Sequence, residues 1–329
     1  MNIFYFSIQN NCILFFSVVR YGQIKEGEIF KMKNVKKILI AVMAVVLAIG
    51  CVCAFAACNK GGKTISIGAQ AGTTGEAYIK GDAEWGFAGI PNSTVSSYQT
   101  IGLAVNDMKN GNIEYAVVDK ATANALVTAN PNDIKMIDIA LTVEQYAIGV
   151  NKNKTDLLAS INTVIDNIKA NGTLDAIYAA YEGIDISDDA ASASAPSSDV
   201  YVGIDNGNAN ATNKLVLATN AQFAPYEYKI GNKFYGIDME IAKIIAAELN
   251  MELVISDMDF DAVVTSVQQG DADIALACLT VNAVRAQSVT FSHAYEEGAA
   301  QVLIVKKSNT EFDDCKTAED VINVFKNKK

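Results

Sequence analysis

Apolar positions recur in two different spacings along most of the chain. Short apolar runs at 65–70, 115–119 and 135–140 predict buried strands. Apolar residues three and four positions apart predict amphipathic helices, most clearly over 156–170. Further strands are predicted at 145–150, 215–219, 252–256 and 273–277, and further helices at 100–109, 121–128, 173–181, 238–249 and 261–269. Strands and helices therefore alternate, which predicts an α/β protein with mostly parallel sheets.

Two segments of similar pattern stand in the two halves of the chain. Residues 110–117 and 269–276 each contain a helix stop, a turn at Gly111 or Gly270, and a buried strand. This echo predicts two lobes of similar plan. Because ligands of open parallel sheets bind at the carboxyl ends of the strands, we expect a ligand site there.

The composition changes between residues 184 and 213. Ser, Ala, Asp, Asn and Gly dominate this stretch, and residues 190–198 read AASASAPSS. Such a segment buries too little apolar surface to order itself. It therefore predicts a low-complexity linker between the two halves.

The first 57 residues contain an extension followed by a secretory signal. Four lysines precede an uncharged run over 38–57, and the small residues before Cys58 resemble a bacterial lipobox. We expect lipidation at Cys58 and anchoring at the outer face of the cell membrane, with Cys51 as the fallback. An uncleaved membrane span over 38–57 is the alternative. Met32 is the expected initiator, because signal peptides begin near the start codon.

Charge and cysteine usage exclude several classes of protein. The chain has 329 residues, enough for two domains, and a formal net charge of −11, which argues against a nucleic-acid partner. A single histidine excludes a multi-histidine metal site. Four of the six cysteines lie in the first 58 residues, so they form no disulfide framework in the body of the protein. No metal, cofactor or catalytic motif is expected.

Charged residues of opposite sign follow predicted strands in the two halves. Arg285 follows a strand and a short helix that Asn282 can cap, a setting that suits a carboxylate; a surface ion pair is the plain alternative. Asp119 ends the strand at 115–119 and suits an ammonium, although capping of the next helix is an equal alternative. The loops that follow strands also carry the aromatic residues Phe223, Tyr226 and Phe260. Together these residues fit a zwitterionic ligand.

Several motifs together resemble the bacterial extracellular solute-binding proteins for polar amino acids, family 3. LVLATNAQFAPYEY (215–228), GIDMEIAKIIAAELN (236–250) and FDAVVTSVQQGDADIALACLTVNAVR (260–285) resemble the family's first lobe. IGAQAGTTGEAY (67–78) and GNIEYAVVDKATA (111–123) resemble the rest. The resemblance implies a two-lobed periplasmic-binding-protein fold of type II that closes on an amino acid without chemistry. It also implies delivery to the permease and ATPase of an ABC importer by a monomer.

The resemblance implies a role for each matching residue. By position, Arg285 would hold the α-carboxylate with help from Thr280 and Thr74, and Asp119 would hold the α-ammonium. The other implied pocket residues are Phe223, Phe260, Cys278, Gln70 and Thr73. At the position of Asn220, the family members that bind basic amino acids share an Asp. The resemblance therefore implies a polar or neutral ligand.

The order of the lobes differs from that of the family. The implied segments are the extension and signal at 1–57, second lobe at 64–146, closing helices at 147–183, linker at 184–213, first lobe at 214–306, and a crossover or hinge helix at 307–329. Either the chain is circularly permuted or it is a fragment of a tandem fusion. Two rival functions stay open: a cyclohexadienyl-type dehydratase on the same fold, and a remnant that binds nothing.

Overall fold

The computed structural model describes residues 64–328, so the predicted signal and Cys58 lie outside the described residues. The strands are β1 Ile65–Gln70, β2 Ser93–Tyr98, β3 Tyr115–Asp119, β4 Ile134–Ile137, β5 Glu144–Asn151, β6 Lys214–Thr219, β7 Tyr228–Ile230, β8 Lys233–Tyr235, β9 Glu252–Asp257, β10 Ile274–Ala275, β11 Val289–Ala299 and β12 Gln301–Lys306. The helices are α1 Thr74–Lys80, α2 Ile101–Asn110, α3 Lys120–Ala129, α4 Thr155–Ala170, α5 Thr173–Tyr181, α6 Ile237–Glu248, α7 Phe260–Gln269 and α8 Ala318–Asn327. Among residues 64–328, none of these helices is both long and apolar enough to cross a bilayer.

Two five-stranded sheets organise the protein. Sheet 1 has the order β2-β1-β3-β12-β4, and sheet 2 has the order β11-β5-β10-β6-β9. In each sheet one strand, β12 or β5, runs antiparallel to both of its neighbours, and the other four are parallel. The prediction of an α/β protein with two lobes and mostly parallel sheets is confirmed. We call the halves built on these sheets the sheet-1 lobe and the sheet-2 lobe.

The two segments of similar pattern occupy equivalent places. They form β3 in the middle of sheet 1 and β10 in the middle of sheet 2. Helices α2 and α7, which precede these strands, end at Gly111 (φ +83°) and Gly270 (φ +87°). Both glycines adopt the left-handed conformation that side chains disfavour, and their N–H groups close the last helical turn. The helix stop therefore fixes where each central strand begins.

Each sheet takes one strand from the other half of the sequence. The chain crosses from β4 to β5 through residues 138–143, and from β11 to β12 through Ala300 alone. Strand β12 lies in sheet 1, although it falls within the segment 214–306 that the sequence assigns to the other lobe. Helix α8, within the predicted hinge segment 307–329, packs on sheet 1 through the buried side chains of Val321 and Phe325. The two crossings thus lie at the starts of β5 and β12.

The first part of the predicted linker is ordered, so the prediction that it stays without structure is wrong. Ile186 pairs with Ala193 in a β-bridge, and Ala190 is fully buried. Several backbone groups of residues 185–194 form hydrogen bonds with one another or with Ala224. Hydrogen bonds order this segment, although its composition provides no apolar core of its own.

Candidate functional site

A pocket lies between the lobes at the carboxyl ends of strands from both sheets. Its cavity volume is about 10 Å³, room for about one water molecule, so the lobes leave little open space between them. The lining residues are Gln70, Thr73, Thr74, Asp119, Phe223, Glu227, Phe260, Ala277, Cys278, Thr280, Arg285 and Gln301. The pocket lies at the strand ends, where the sequence predicts a ligand site.

Arg285 supplies the positive charge of the pocket from the sheet-2 lobe. Its backbone N–H donates to Asn282 Oδ1 at 2.8 Å, which is the predicted cap. Its guanidinium donates from Nη1 to the Thr280 carbonyl at 3.0 Å and from Nη2 to the Gly72 carbonyl of the other lobe at 3.1 Å. No ion-pair partner lies within 4.0 Å of it in the described part of the chain. Burial lowers the pKa of Arg285 to about 10, so it stays a cation at neutral pH.

Two aromatic rings enclose the Arg285 guanidinium. Its central carbon lies 4.9 Å from the centre of the Trp85 ring and 5.4 Å from the centre of the Phe260 ring. Trp85 belongs to the loop between α1 and β2 of the sheet-1 lobe, whereas Phe260 begins α7 of the other lobe. Both contacts have cation–π geometry. The two lobes therefore fix one cation between them.

Asp119 supplies a carboxylate from the sheet-1 lobe. It is buried and accepts hydrogen bonds from the Tyr146 hydroxyl and, at 3.0 Å, from Gln301 Nε2. Its side chain makes no capping bond to α3, so the capping alternative is not observed. Burial, and secondarily the charge of Glu144, raise the pKa of Asp119 to about 7. A cation that binds there would favour the ionised form.

The pocket is closed by direct contacts between the lobes. Thr74 Oγ1 donates to Thr280 Oγ1 at 3.0 Å, and Thr280 Oγ1 donates to Glu144 Oε2 at 2.6 Å. Gln70 Nε2 donates to Asn220 Oδ1 at 2.9 Å. These bonds join the ends of β1 and β6 and the starts of α1 and β5. The structure therefore has the arrangement expected of two lobes that meet over a site.

A group of buried acids lies under the sheet-2 side of the pocket. Ligand atoms of Glu227, Asp238 and Cys278 all lie within 4.8 Å of one another. The Cys278 N–H donates to Asp238 Oδ2 at 2.9 Å, and its thiol donates to Glu227 Oε2 at 3.8 Å. Burial raises the pKa of Asp238 to about 7 and the pKa values of Glu227 and Cys278 well above their usual ranges. Donor spacing would permit a metal ion, but burial favours the protonated, uncharged forms.

Nine of the ten pocket residues that the resemblance implies line this pocket. Asn220 does not line it and reaches it through its bond to Gln70. The sequence analysis did not identify Glu227, Ala277 and Gln301, which also line the pocket, or Trp85, which covers Arg285. Gln301 begins β12, and the apolar sequence of this strand does not indicate which sheet the strand joins. The predicted lipidation residue, Cys58, is outside the described residues.

Known proteins resemble the second half of the chain. Residues 215–328 match the family model of bacterial extracellular solute-binding proteins, family 3. The arginine-binding extracellular protein ArtP of Bacillus subtilis is 32% identical over 105 residues, which cover 32% of this chain and 40% of ArtP. A probable histidine-binding protein of Neisseria gonorrhoeae is 32% identical over 108 residues, 32% of this chain and 40% of that protein. The chain thus spans about two fifths of the length of these relatives.

Solved structures of binding proteins match shorter parts of the chain. The amino-acid ABC transporter substrate-binding protein AbpA of Streptococcus pneumoniae, bound to L-arginine, is 44% identical over 23% of this chain and 33% of its own, with a TM-score of 0.22. The arginine-bound domain 1 of TmArgBP is 27% identical over 35% of this chain and 92% of its own, with a TM-score of 0.26.

Proposed function

We propose that the protein captures an L-α-amino acid outside the cytoplasm, because its residues 215–328 match the family model of bacterial extracellular solute-binding proteins, family 3. It then presents the amino acid to the permease of an ABC importer. The lobes occur in permuted order and form one cleft within one molecule. The function is binding without chemistry.

One observation carries the proposal: a buried cation and a buried carboxylate line the same closed pocket from opposite lobes. Arg285 suits an α-carboxylate, because a guanidinium donates two parallel hydrogen bonds to a carboxylate. Asp119 suits an α-ammonium, and the Gln301 amide keeps the carboxylate in place. A zwitterion satisfies both groups at once. A ligand with only one of the two charges leaves a buried charge unpaired, which is costly.

We assign a polar or neutral side chain to the ligand. Asn220 is a neutral amide that is bonded to Gln70, so this side of the pocket offers hydrogen bonds without charge. Glu227 faces the pocket as well, and burial raises the pKa of its carboxyl group, which favours the uncharged form. A neutral wall favours an uncharged polar group over an ammonium or a guanidinium.

A cationic side chain is the second candidate, and Glu227 favours it. The Glu227 side chain lines the pocket, is 1% exposed and forms no ion pair with any residue in 64–328. A guanidinium or ammonium brought in by the ligand would ionise it. Relatives named as arginine-binding and histidine-binding proteins are consistent with this candidate.

Binding of the twenty amino acids to the full-length protein tests the proposal. A ligand that binds the folded state raises the unfolding midpoint, and calorimetry then measures its affinity. We expect a polar or neutral L-amino acid to rank first, and D-enantiomers to bind more weakly. Arginine or lysine ranking first would replace the first candidate with the second. No binding by any amino acid would refute the function.

We also propose that Cys58 carries a lipid that holds the protein at the outer face of the cell membrane. The small residues before it, in the pattern of a lipobox, support this assignment. The protein should sediment with membranes, and Cys58→Ser should release it or leave the signal uncleaved. An unmodified Cys58 in the mature protein would contradict the proposal.

A further inference from the structure

Residues 185–194 form a compact loop that we call the strap. Ser187 N–H donates to the Ser192 carbonyl at 2.9 Å, and Ser194 N–H donates to the Asp185 carbonyl at 2.6 Å. Asp189 Oδ1 accepts from Ser187 Oγ at 2.7 Å and from Ala191 N–H at 3.1 Å. These bonds give the strap a defined shape that does not depend on an apolar core.

The strap is part of the sheet-2 lobe. In the sequence it lies between α5 and β6, which both belong to this lobe. Helix α5 is joined to α6 by the Tyr181 hydroxyl, which donates to Glu240. Ala190 carbonyl accepts from the Ala224 N–H at 3.0 Å, next to the pocket residue Phe223. The Ser192 hydroxyl donates to the Lys229 carbonyl, and the Tyr228 hydroxyl donates to the Ser194 carbonyl. The strap is therefore attached along its length to the lobe that holds Arg285.

The tip of the strap contacts the other lobe. Asn130, which follows α3, donates from Nδ2 to the Asp188 carbonyl at 3.0 Å. Asp189 lies so close to α2 that a Cβ at Gly102 would stand 2.4 Å from its carbonyl oxygen and 2.4 Å from its Cβ. Only a residue without a side chain at position 102 permits this approach. The strap thus links the lobes at a place distinct from the pocket and from the two chain crossings.

We propose that the strap is a latch that stabilises the closed arrangement of the lobes and so raises affinity for whatever amino acid the pocket takes. Its hydrogen bond to Asn130 and its close approach to Gly102 exist only when the lobes are together, because the strap itself moves with the sheet-2 lobe. Apparent affinity depends on the fraction of molecules in the binding-competent state. A latch that contacts no ligand therefore changes every affinity by the same factor and leaves the ranking alone. The affinity part of this inference rests on the proposed function.

Gly102→Ala loosens the latch by a single methyl group. The new Cβ would collide with the backbone of Asp189, which cannot rotate away. Alanine favours the helical conformation more than glycine does, so α2 itself is not weakened. Leu103→Ala is the matched control, because Leu103 is the next residue of α2 and is 50% exposed.

A second pair of variants tests the strap itself. Replacing 187–190 by Gly-Ser-Gly-Ser keeps the chain length and removes the side chains of Ser187 and Asp189, whose hydrogen bonds hold the strap in shape. The same replacement at 197–200 is the control, because it lies in the same low-complexity segment, where Val200 is 68% exposed. Circular dichroism and a cooperative melt establish that each variant folds, and either pair alone suffices for the test.

Trp85 reports opening without any ligand. It is the single tryptophan of the full-length chain, and its ring lies over Arg285 of the other lobe. We expect both latch variants to shift its emission to longer wavelength and to weaken every amino acid that binds by one common factor, on the order of tenfold. The two controls should leave emission and affinity unchanged.

The outcomes separate the latch from the function. Unchanged emission in both latch variants, or an equal shift in the 197–200 control, would overturn the latch. A changed ranking of amino acids would also overturn it, because the strap would then act on the ligand itself. A shifted emission in a protein that binds no amino acid would support the latch and refute the proposed function.

Discussion

The two lobes have the same strand order and opposite chemistry. In sheet 1 the central strand β3 ends in Asp119, a carboxylate held by Tyr146 and Gln301. In sheet 2 the central strand β10 leads to Cys278, which adopts φ +48°, and the same stretch continues to Arg285. The topology decides where a ligand meets each lobe. The residues at or beyond the end of each central strand decide which charge a bound ligand would meet there.

The largest expected effect comes from removing either charge. Arg285→Ala and Asp119→Ala should each weaken amino-acid binding by about 2–5 kcal/mol, because the ligand group left behind is buried without a partner. Calorimetry of the full-length protein measures the loss. Lys229→Ala is the control, since this exposed lysine of the sheet-2 lobe contacts Asp257 instead. Unchanged affinity in both charge variants would show that the ligand lies elsewhere.

The next effect tests whether Asn220, which reaches the pocket through Gln70, affects the choice of ligand. Asn220→Asp places a charge beside Gln70, and we expect arginine and lysine to gain about tenfold relative to neutral amino acids, roughly 1.4 kcal/mol. Competition binding measures the ratio. The matched control is Asn282→Asp, which changes an amide of the same lobe at the cap of the Arg285 turn. A ratio that does not move would remove Asn220 from specificity.

Acidity should affect both lobes, because burial raises the pKa of Asp119 in one lobe and of Asp238 in the other. The raised pKa of Asp119, about 7, means that affinity for an ammonium falls as the pH drops below 7. The raised pKa of Asp238 means that the folded state retains a proton which the unfolded state loses near pH 4. Its contribution to stability is therefore complete below pH 4 and is lost as the pH rises towards 7, by about 1.4 kcal/mol per pH unit.

Asp238→Asn tests this assignment, because an amide cannot titrate. The variant should make the unfolding midpoint depend less steeply on pH between 4 and 7 and leave the pH dependence of affinity in place. Asp119 and Glu227, whose pKa values burial also raises, keep part of the dependence of stability on pH. Asp119→Asn should instead flatten the dependence of affinity on pH. Melting curves and calorimetry across this range measure the two slopes. Equal slopes in the variants and the unmodified protein would contradict the assignment.

The smallest effect tests whether the two helix stops are equivalent. Gly111→Ala and Gly270→Ala should each destabilise the protein by roughly 1–2 kcal/mol, because alanine is strained at positive φ. A methyl group at either position would make only ordinary contacts, at 3.5 Å from Lys306 Nζ or 3.9 Å from Asn151 Nδ2, so strain is the main cost. Urea unfolding measures the two losses. A large difference between them would mean that the two central strands are not equally supported.

The sequence predicted the elements whose signals are local. The spacing of apolar residues gave α4, and the left-handed glycines gave the starts of β3 and β10. Motifs gave most of the pocket. Strand β2, STVSSY, was missed because it lies at the edge of sheet 1 with few buried residues.

Features that depend on distant partners were not predictable in the same way. The apolar residues of strand β12 would fit the centre of either sheet, so they carry no information about the neighbouring strands. Trp85 lies in a loop, and only the closed arrangement brings it to Arg285. The strap is ordered by hydrogen bonds from the Ala224 backbone N–H and the Asn130 side chain to its carbonyl groups, and composition does not encode these partners.

The exchange of one strand between the sheets has a consequence for synthesis on the ribosome. Strand β4 pairs only with β12 among the described strands, so sheet 1 stays incomplete until residues near 306 have been translated. Strand β5 is made early but must wait for β10, far along the chain. Such distant pairings make folding slow and leave apolar strand edges uncovered meanwhile. Neither lobe can form from a continuous stretch of chain, so both should unfold in a single cooperative transition.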